Sequence, residues 1–135
     1  MSTDVISASK ETYFLREFEK GDFMLWDVCS QCMNTFTVTI RDDKKVYANI
    51  RKANPSTELQ ILSQESADYD GGSNLRIEIA FDNPDAKIKK SQTAGAIMDK
   101  QSNTVGFSYT YCIEDGDDWD FNDVFITVIA WKNKG

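Results

Sequence analysis

The chain has 135 residues, of which 22 are acidic and 15 are basic, so its formal net charge is −7, and it contains no histidine. A chain this acidic repels phosphate groups, which excludes nucleic acid and anionic lipid surfaces as expected partners. The hydrophobic fraction of 41% is that of a folded protein, and the length fits a single domain over residues 1–135.

The N-terminal segment up to Lys10 lacks the basic start and apolar core of a secretory signal. No stretch approaches the ~20 apolar residues that cross a membrane. We therefore expect cytoplasmic synthesis without a signal peptide and no membrane insertion, with later non-classical release or association with the cell surface left open.

The segment from Glu11 to Lys20 is predicted to form a short helix, the only one in the chain.

Three cysteines are present, and Cys29 and Cys32 have the spacing of a metal-binding or redox pair. There is no second pair of this kind and no histidine, so a zinc site or a redox motif is disfavoured. We interpret the segment as a loop with either two thiols or a local disulfide. Cys112 falls on a predicted strand and is expected to be a buried thiol.

From Asn34 onward, apolar and polar residues alternate, which predicts strands with one buried face. A last strand, residues 124–131, is apolar on both faces, as expected of a central strand, and Trp26 and Trp131 are predicted core aromatics. Polar turns separate the strands at residues 42–44, 70–73 and 82–85. The predicted inward residues are Phe36, Val38, Ile40, Val46, Ala48, Ile50, Leu75, Ile77, Ile79, Phe81, Val105, Phe107, Tyr109, Tyr111 and Ile113.

Many short strands with turn signals every ~8 to 12 residues predict an all-β fold, an antiparallel β-sandwich or jelly roll. In such a sandwich, the segment between two strands lies at one end of the molecule. Residues 114–123 occupy such a position and contain six carboxylates. Like charges at this density repel unless cations compensate them. Ca²⁺ takes six to eight oxygen ligands, whereas Mg²⁺ keeps more of its water, so the segment predicts a calcium site.

The acidic segment departs from the pattern of an EF-hand, which requires Gly at the sixth loop position and Glu at the twelfth, where this chain has Asp123 and Ile129. A solvated acidic turn would not interleave an Asn and two aromatic residues. A glycoside hydrolase needs one acid with a raised pKa, whereas calcium lowers the pKa of its ligands, so we predict no enzyme activity. A purely structural calcium clip between two strands stays open.

The segment Glu114-Asp115-Gly116-x-Asp118-x-Asp120-Phe121-Asn122-Asp123, followed by an apolar strand and a chain ending at Gly135, resembles the bacterial calcium-dependent fucose/mannose-binding lectins, the LecB-like family. The resemblance covers roughly the last hundred residues, and residues 1–20 match poorly. It implies a sandwich of about nine strands in which a sugar coordinates two adjacent Ca²⁺ ions per subunit.

The resemblance also implies a role for each matching residue. Glu114 and Asp118 would hold one ion and Asn122 the other, with Asp120 and Asp123 bridging the pair. The backbone carbonyl of Cys29 and the C-terminal carboxylate of Gly135 from a partner subunit would complete the metal site. The residues implied to contact or select the sugar are Asp115, Asp118, Asp120, Ser30, Gln31 and Cys32.

The resulting hypothesis is a calcium-dependent lectin for fucose- or mannose-type monosaccharides or glycans, acting as a homodimer or a dimer of dimers. The alternative is a structural or adhesive β-module that calcium stabilises and that binds no sugar. Glycan binding measured with calcium and with a chelator separates the two.

Overall fold

The computed structural model describes residues 8–116 and 121–133. This part of the chain folds into nine strands in two antiparallel sheets and contains no helix, which confirms the predicted all-β sandwich. Within these ranges, then, there is no helix that could span a membrane. The strands are β1 (Lys10–Phe14), β2 (Phe23–Ser30), β3 (Phe36–Arg41), β4 (Val46–Lys52), β5 (Gln60–Asp68), β6 (Arg76–Phe81), β7 (Lys89–Met98), β8 (Thr104–Glu114) and β9 (Val124–Trp131).

The smaller sheet has the strand order β1-β6-β3-β4 and the larger sheet the order β5-β2-β9-β8-β7. Strand β9 lies in the middle of the larger sheet, as its two-sided apolar sequence predicts. The neighbours of β9 are β2 and β8, so the end of β2 lies beside the consecutive strands β8 and β9, although about ninety residues separate them in sequence.

The core lies between the sheets and is filled by alternate residues of each strand. The residues of β3, β6 and the second half of β8 that were predicted to face inward are buried. Val46 of β4, by contrast, is exposed, and the pairing of β4 with β3 shifts register between Ile40 and Arg41. Trp26 is a core residue, whereas Trp131 is only half-buried. Side chains with no exposed surface include Val28, Phe36, Val38, Ile40, Ile77, Ile113, Ile126 and Val128.

The helix predicted from Glu11 to Lys20 is wrong. Residues Lys10–Phe14 form β1 and pair with β6 instead. The extended backbone places Tyr13 in the core, where its ring stacks on Tyr111 with centroids 4.7 Å apart. Burial of this large ring outweighs the weak helix propensity of the segment.

The three cysteines are free thiols. The loop predicted for residues 29–32 begins later than expected, because Cys29 belongs to β2 and pairs with strands on both sides. Cys32 is buried, while Cys112, predicted to be buried, is half-exposed because it points to the outer face of β8.

Candidate functional site

One end of the sandwich gathers the ends of β2, β8 and β9. Val124, the first residue of β9, lies opposite Ser30 of β2 and Ile113 of β8. The segments that leave these strands are therefore adjacent, although they come from opposite ends of the chain. This is the end of the molecule at which the sequence predicts the acidic loop.

Three carboxylates meet there. Glu114, Asp115 and Asp123 each direct one carboxylate oxygen to within 4.8 Å of the other two. Glu114 is only 1% exposed, so its charge cannot be screened by solvent. A set of close oxygen donors, partly removed from water, suits a hard divalent cation such as Ca²⁺.

Backbone hydrogen bonds fix the position of Asp123. Its N–H donates to the carbonyl of Ile113 (3.0 Å), and its own carbonyl accepts the N–H of Gln31 (2.9 Å). The Asp123 carboxylate accepts the Asp115 N–H at 3.0 Å. In the same way, the Glu114 carboxylate accepts the N–H of Gly116 at 3.1 Å. Backbone N–H groups of their own loop thus hold the Glu114 and Asp123 carboxylates in place.

Asp115 is held from two sides. Its carboxylate accepts a hydrogen bond from the Asn34 side-chain amide (2.9 Å), and its carbonyl accepts the N–H of Lys87 (3.2 Å). Asn34 lies in the β2–β3 loop, so its amide joins that loop to the acidic segment. No local sequence pattern indicates this contact, because the two residues are 81 positions apart.

Lys89, the first residue of β7, also reaches the site. It lies opposite Glu114 in the β7–β8 pairing, and its ammonium donates a hydrogen bond to the carbonyl of Gly116. A lysine beside the carboxylates offsets part of their charge. Lys89 was not among the predicted site residues, because its place follows only from the pairing of β7 with β8.

Burial raises the pKa of the Asp123 carboxyl to about 6, because desolvation disfavours its charged form, and Glu114 is hydrogen-bonded to it. The Asp123 carboxyl is therefore partly protonated near neutral pH. A cation that binds here must displace this proton.

The β2–β3 loop forms the rim beside the carboxylates. Of the three residues expected to select the sugar, Ser30 is fully buried and Cys32 is 4% exposed, whereas Gln31 is half-exposed. The Gln31 amide donates to the carbonyl of Asn122 at 3.4 Å. Burial raises the pKa of the Cys32 thiol to about 11, so this side chain stays a neutral thiol. Gln31 is therefore the member of this trio whose side chain can reach a ligand.

Two further residues of the predicted site, Asn122 and Cys29, lie within the described part of the chain. Asn122 is exposed beside Asp123, while Cys29 lies within β2, opposite Phe125 of β9 and Ile61 of β5. Asp118, Asp120 and Gly135 fall outside the described residues, so their predicted roles stay predictions. The structure brings together Glu114, Asp115 and Asp123 from the acidic segment and places Gln31 next to them.

No family model and no curated protein matches this chain in sequence. The sandwich is nevertheless similar to solved bacterial lectins. The high-affinity mannose-binding lectin of Ralstonia solanacearum matches with a TM-score of 0.62 and 20% identity over 92% of this chain and 96% of the lectin. The C-terminal domain of the BC2L-C lectin from Burkholderia cenocepacia matches with a TM-score of 0.59 and 18% identity over 95% of this chain and 99% of that domain.

A third similar structure is the Chromobacterium violaceum lectin CV2L in complex with α-methyl-fucoside. It has a TM-score of 0.57 and 17% identity, covering 92% of this chain and 96% of the lectin. Each of these similarities covers nearly the full length of this chain and of the lectin structure compared with it. The chain therefore has the fold of these bacterial lectins, which is the fold that the resemblance of the acidic segment implies.

Proposed function

We propose that this protein is a calcium-dependent lectin that binds a monosaccharide or the end of a glycan at the acidic end of the sandwich. The observation that carries the proposal is the convergence of Glu114, Asp115 and Asp123 within 4.8 Å, in a chain that has the fold of sugar-binding proteins. The fold alone fixes no function, and the carboxylates supply the chemistry.

The proposed site would hold two calcium ions, and the meeting of Glu114, Asp115 and Asp123 supports the presence of a cation there. Glu114 and Asp118 would hold one ion, Asn122 the other, and Asp120 and Asp123 both. The carbonyl of Cys29 and the terminal carboxylate of Gly135 from a partner subunit would complete the set in a homodimer or a dimer of dimers. All of these donors are oxygens, which is the ligand type that calcium selects.

Calcium, when bound, offers coordination positions to sugar hydroxyls, whose neutral hydrogen bonds to protein merely replace bonds to water. The chain's own contribution is orientation. Asn34 fixes the orientation of the Asp115 carboxylate through one hydrogen bond, and this carboxylate would accept a sugar hydroxyl proton in a charge-assisted bond. The side chain of Gln31 can contact the same ligand from the rim. Neither group is a nucleophile, and we propose no enzymatic reaction.

Two of the similar structures suggest the sugar class. One is described as mannose-binding and another was solved with α-methyl-fucoside. Fucose- and mannose-type monosaccharides are therefore the first ligands to test. The side chains of the rim loop, with Gln31 half-exposed and Met33 58% exposed, determine which sugar fits.

The test is isothermal titration calorimetry with α-methyl-fucoside and α-methyl-mannoside, in calcium and in excess EDTA. We expect binding in calcium, none in EDTA, and loss of binding in Asp123→Ala. Asp82→Ala is the matched control, because Asp82 is an exposed carboxylate bonded to Arg51 and Thr35 and not to the cluster. Equal sugar binding in EDTA, or undiminished binding by Asp123→Ala, would refute the proposal.

A structural calcium module is the second candidate, and the near-complete burial of Glu114 favours it. A ligand buried this deeply can stabilise the loop without any part in sugar recognition. If calcium raises the melting temperature but neither a monosaccharide titration nor a glycan array detects binding, this second function replaces the first.

A further inference from the structure

The β6–β7 loop, residues 82–88, and the start of β7 bring three lysines to the acidic end of the sandwich: Lys87, Lys89 and Lys90. The loop lies against the acidic segment, because the N–H of Lys87 donates to the carbonyl of Asp115 at 3.2 Å. Three cations within four positions are a local excess of positive charge in a chain whose net charge is −7.

Two of these three lysines already have partners. The Lys89 ammonium donates to the carbonyl of Gly116, and the Lys90 ammonium donates to the side-chain oxygen of Gln92 at 2.7 Å. The side chain of Lys87 is exposed, and its ammonium forms no ion pair or hydrogen bond within residues 8–116 and 121–133. The Lys87 ammonium is therefore available to a ligand.

Packing on both sides of Lys87 sets the direction of its side chain. Ala86 is 4% exposed and Ile88 is 2% exposed, and the N–H of Ile88 donates to the carbonyl of Ala8 at 3.1 Å. Because buried and exposed residues alternate here, Lys87 lies on the same side of the chain as Lys89, whose ammonium contacts the acidic segment. Lys87 is thus the next cation along the chain, at the outer margin of the candidate site.

We infer that the glycan bound at the acidic end carries an acidic group, either the carboxylate of a uronic acid or a sulfate, on the unit next to the coordinated sugar, and that Lys87 binds this group. The inference rests on the proposed lectin function. Asp115, whose carbonyl holds the backbone of Lys87, is the residue proposed to contact the terminal sugar. The flexible four-carbon stem of Lys87 then carries its ammonium to the neighbouring unit, where it forms a charge-assisted hydrogen bond with the acidic group.

The negative charge of the chain is compatible with such a ligand. Calcium ions bound as proposed would offset most of the charge of the acidic segment, and Lys89 offsets a further part. A polyanion would still be repelled by the other carboxylates of the chain. The inference is therefore limited to a glycan with one acidic unit beside the coordinated sugar.

A different role for Lys87 would be to offset the charge of the neighbouring carboxylates, as Lys89 does. In that role, removing its charge changes the calcium affinity and affects neutral and acidic glycans to the same extent. Recognition of an acidic group instead changes the ratio of the two glycan affinities. This ratio is the quantity to measure.

The experiment begins with a glycan array in calcium that presents fucosylated and mannosylated glycans in matched pairs. One member of each pair is neutral, and the other carries a uronic acid or a sulfate on the unit next to the terminal sugar. Isothermal titration calorimetry then measures both members of the pair with the largest difference, using wild type, Lys87→Gln, Lys87→Arg and Lys100→Gln. Lys100 is the matched control, because it is exposed and lies between β7 and β8 at their opposite end.

We expect wild type to bind the acidic member about three- to tenfold more tightly, the effect of one partly exposed charge-assisted hydrogen bond. Lys87→Gln should bind the two members equally, whereas Lys87→Arg and Lys100→Gln should retain the preference. Sodium chloride at about 1 M should reduce the preference of wild type, because salt screens exposed charges. Circular dichroism melts verify that each variant is folded.

Equal affinity of wild type for the two members overturns the inference alone, because the sugar is still bound and the proposed function stands. A preference that persists in Lys87→Gln also overturns it, since another residue then binds the acidic group. If Lys87→Gln changes the calcium affinity but not the ratio, Lys87 only offsets charge and the inference is wrong. Wild type that binds no glycan in calcium contradicts the proposed function and the inference together.

Discussion

At the scale of single residues, the contact between Asn34 and Asp115 is the most specific feature of the candidate site. The Asn34 amide occupies one carboxylate oxygen and thereby sets the direction of the other. Asn34 lies outside the acidic segment, and its side-chain amide reaches that segment through the bond to Asp115. We therefore expect Asn34 to position Asp115.

Replacing Asn34 by Ala should weaken sugar binding about 5- to 10-fold, the effect expected when one hydrogen bond to a charged group is lost. Calcium affinity should stay unchanged. Both are measured by calorimetry, and Asn49→Ala, on an exposed position of β4, is the control. An equal loss of calcium and sugar affinity would show that Asn34 supports the loop as a whole rather than Asp115.

The raised pKa of Asp123 predicts a pH dependence. Because burial raises this pKa from 3.8 to about 6, the folded, metal-free protein binds a proton that calcium must displace. The apparent calcium affinity should therefore fall by about tenfold between pH 7 and pH 5. In EDTA the same group makes folding more favourable as the pH falls through 6, because the folded state binds the proton more tightly than the unfolded state.

The measurement is calcium titration at pH 7, 6 and 5. Asp82 provides the comparison, because its hydrogen bonds to Arg51 and Thr35 lower its pKa to about 2, so it stays ionised over this range. Asp82→Asn should leave the pH profile unaltered. A calcium affinity that is constant from pH 7 to pH 5 would be incompatible with a protonated Asp123.

At the scale of elements, the strands with strict alternation were predictable and the others were not. In β3 and β6, polar residues alternate with buried apolar ones. In β2, the outward residues Phe23 and Leu25 are apolar too, which hides the period of two. The edge strands β5 and β7 bury little on either face, and their sequences show no regular alternation of apolar and polar residues. Sequence patterns report burial, and a strand buried on neither face gives no pattern.

The β3–β4 hairpin contains a carboxylate that is structural. Asp42 is 1% exposed, and one of its oxygens accepts the N–H groups of Lys44 and Lys45, each at 2.7 Å. These bonds lower the pKa of Asp42 in spite of its burial. A Cβ on Gly72 would come within 2.3 Å of this carboxylate, so the neighbouring loop is fitted closely around it.

Asp42→Ala should lower the free energy of unfolding by about 2–3 kcal/mol, because two turn N–H groups lose their acceptor inside the protein. Asp43→Ala is the matched control. Asp43 bonds Arg76 and Asn74 at the surface, where such a pair contributes about 0–1 kcal/mol. Urea denaturation measures the free energy of unfolding of both variants. An equal decrease in the two would show that the hydrogen bonds of Asp42 contribute no more to stability than the surface bonds of Asp43.

At the scale of the whole molecule, calcium should stabilise the fold by mass action. At a hundred times its dissociation constant, a ligand that binds only the folded state adds about 2.7 kcal/mol. For a domain of this size, that corresponds to a rise of about 10 °C in melting temperature. Thermal melts in EDTA, calcium and equimolar magnesium test this, and we expect magnesium to have a much smaller effect. No calcium-dependent shift would argue against both candidate functions.

The fold class was predictable from the sequence, and so was the cluster of carboxylates at one end of the sandwich, but the partners of these carboxylates were not. Six carboxylates in ten residues mark the segment in the sequence itself. Lys89 and Asn34, by contrast, reach Gly116 and Asp115 only because β7 pairs with β8 and the β2–β3 loop lies beside β9. Such neighbours depend on which strands pair, and no short stretch of the sequence indicates that pairing. The burial of Ser30 and Cys32 could not be predicted for the same reason.

The hydrogen bonds between the β2–β3 loop and the acidic segment join residues 81 and 91 positions apart. A site assembled from parts this distant in sequence cannot form before the central strands have paired. A calcium ion that binds as we propose would therefore bind after the strands have paired, and a chelator should slow neither collapse nor strand pairing. Removing that ion should abolish sugar binding while the two sheets stay folded.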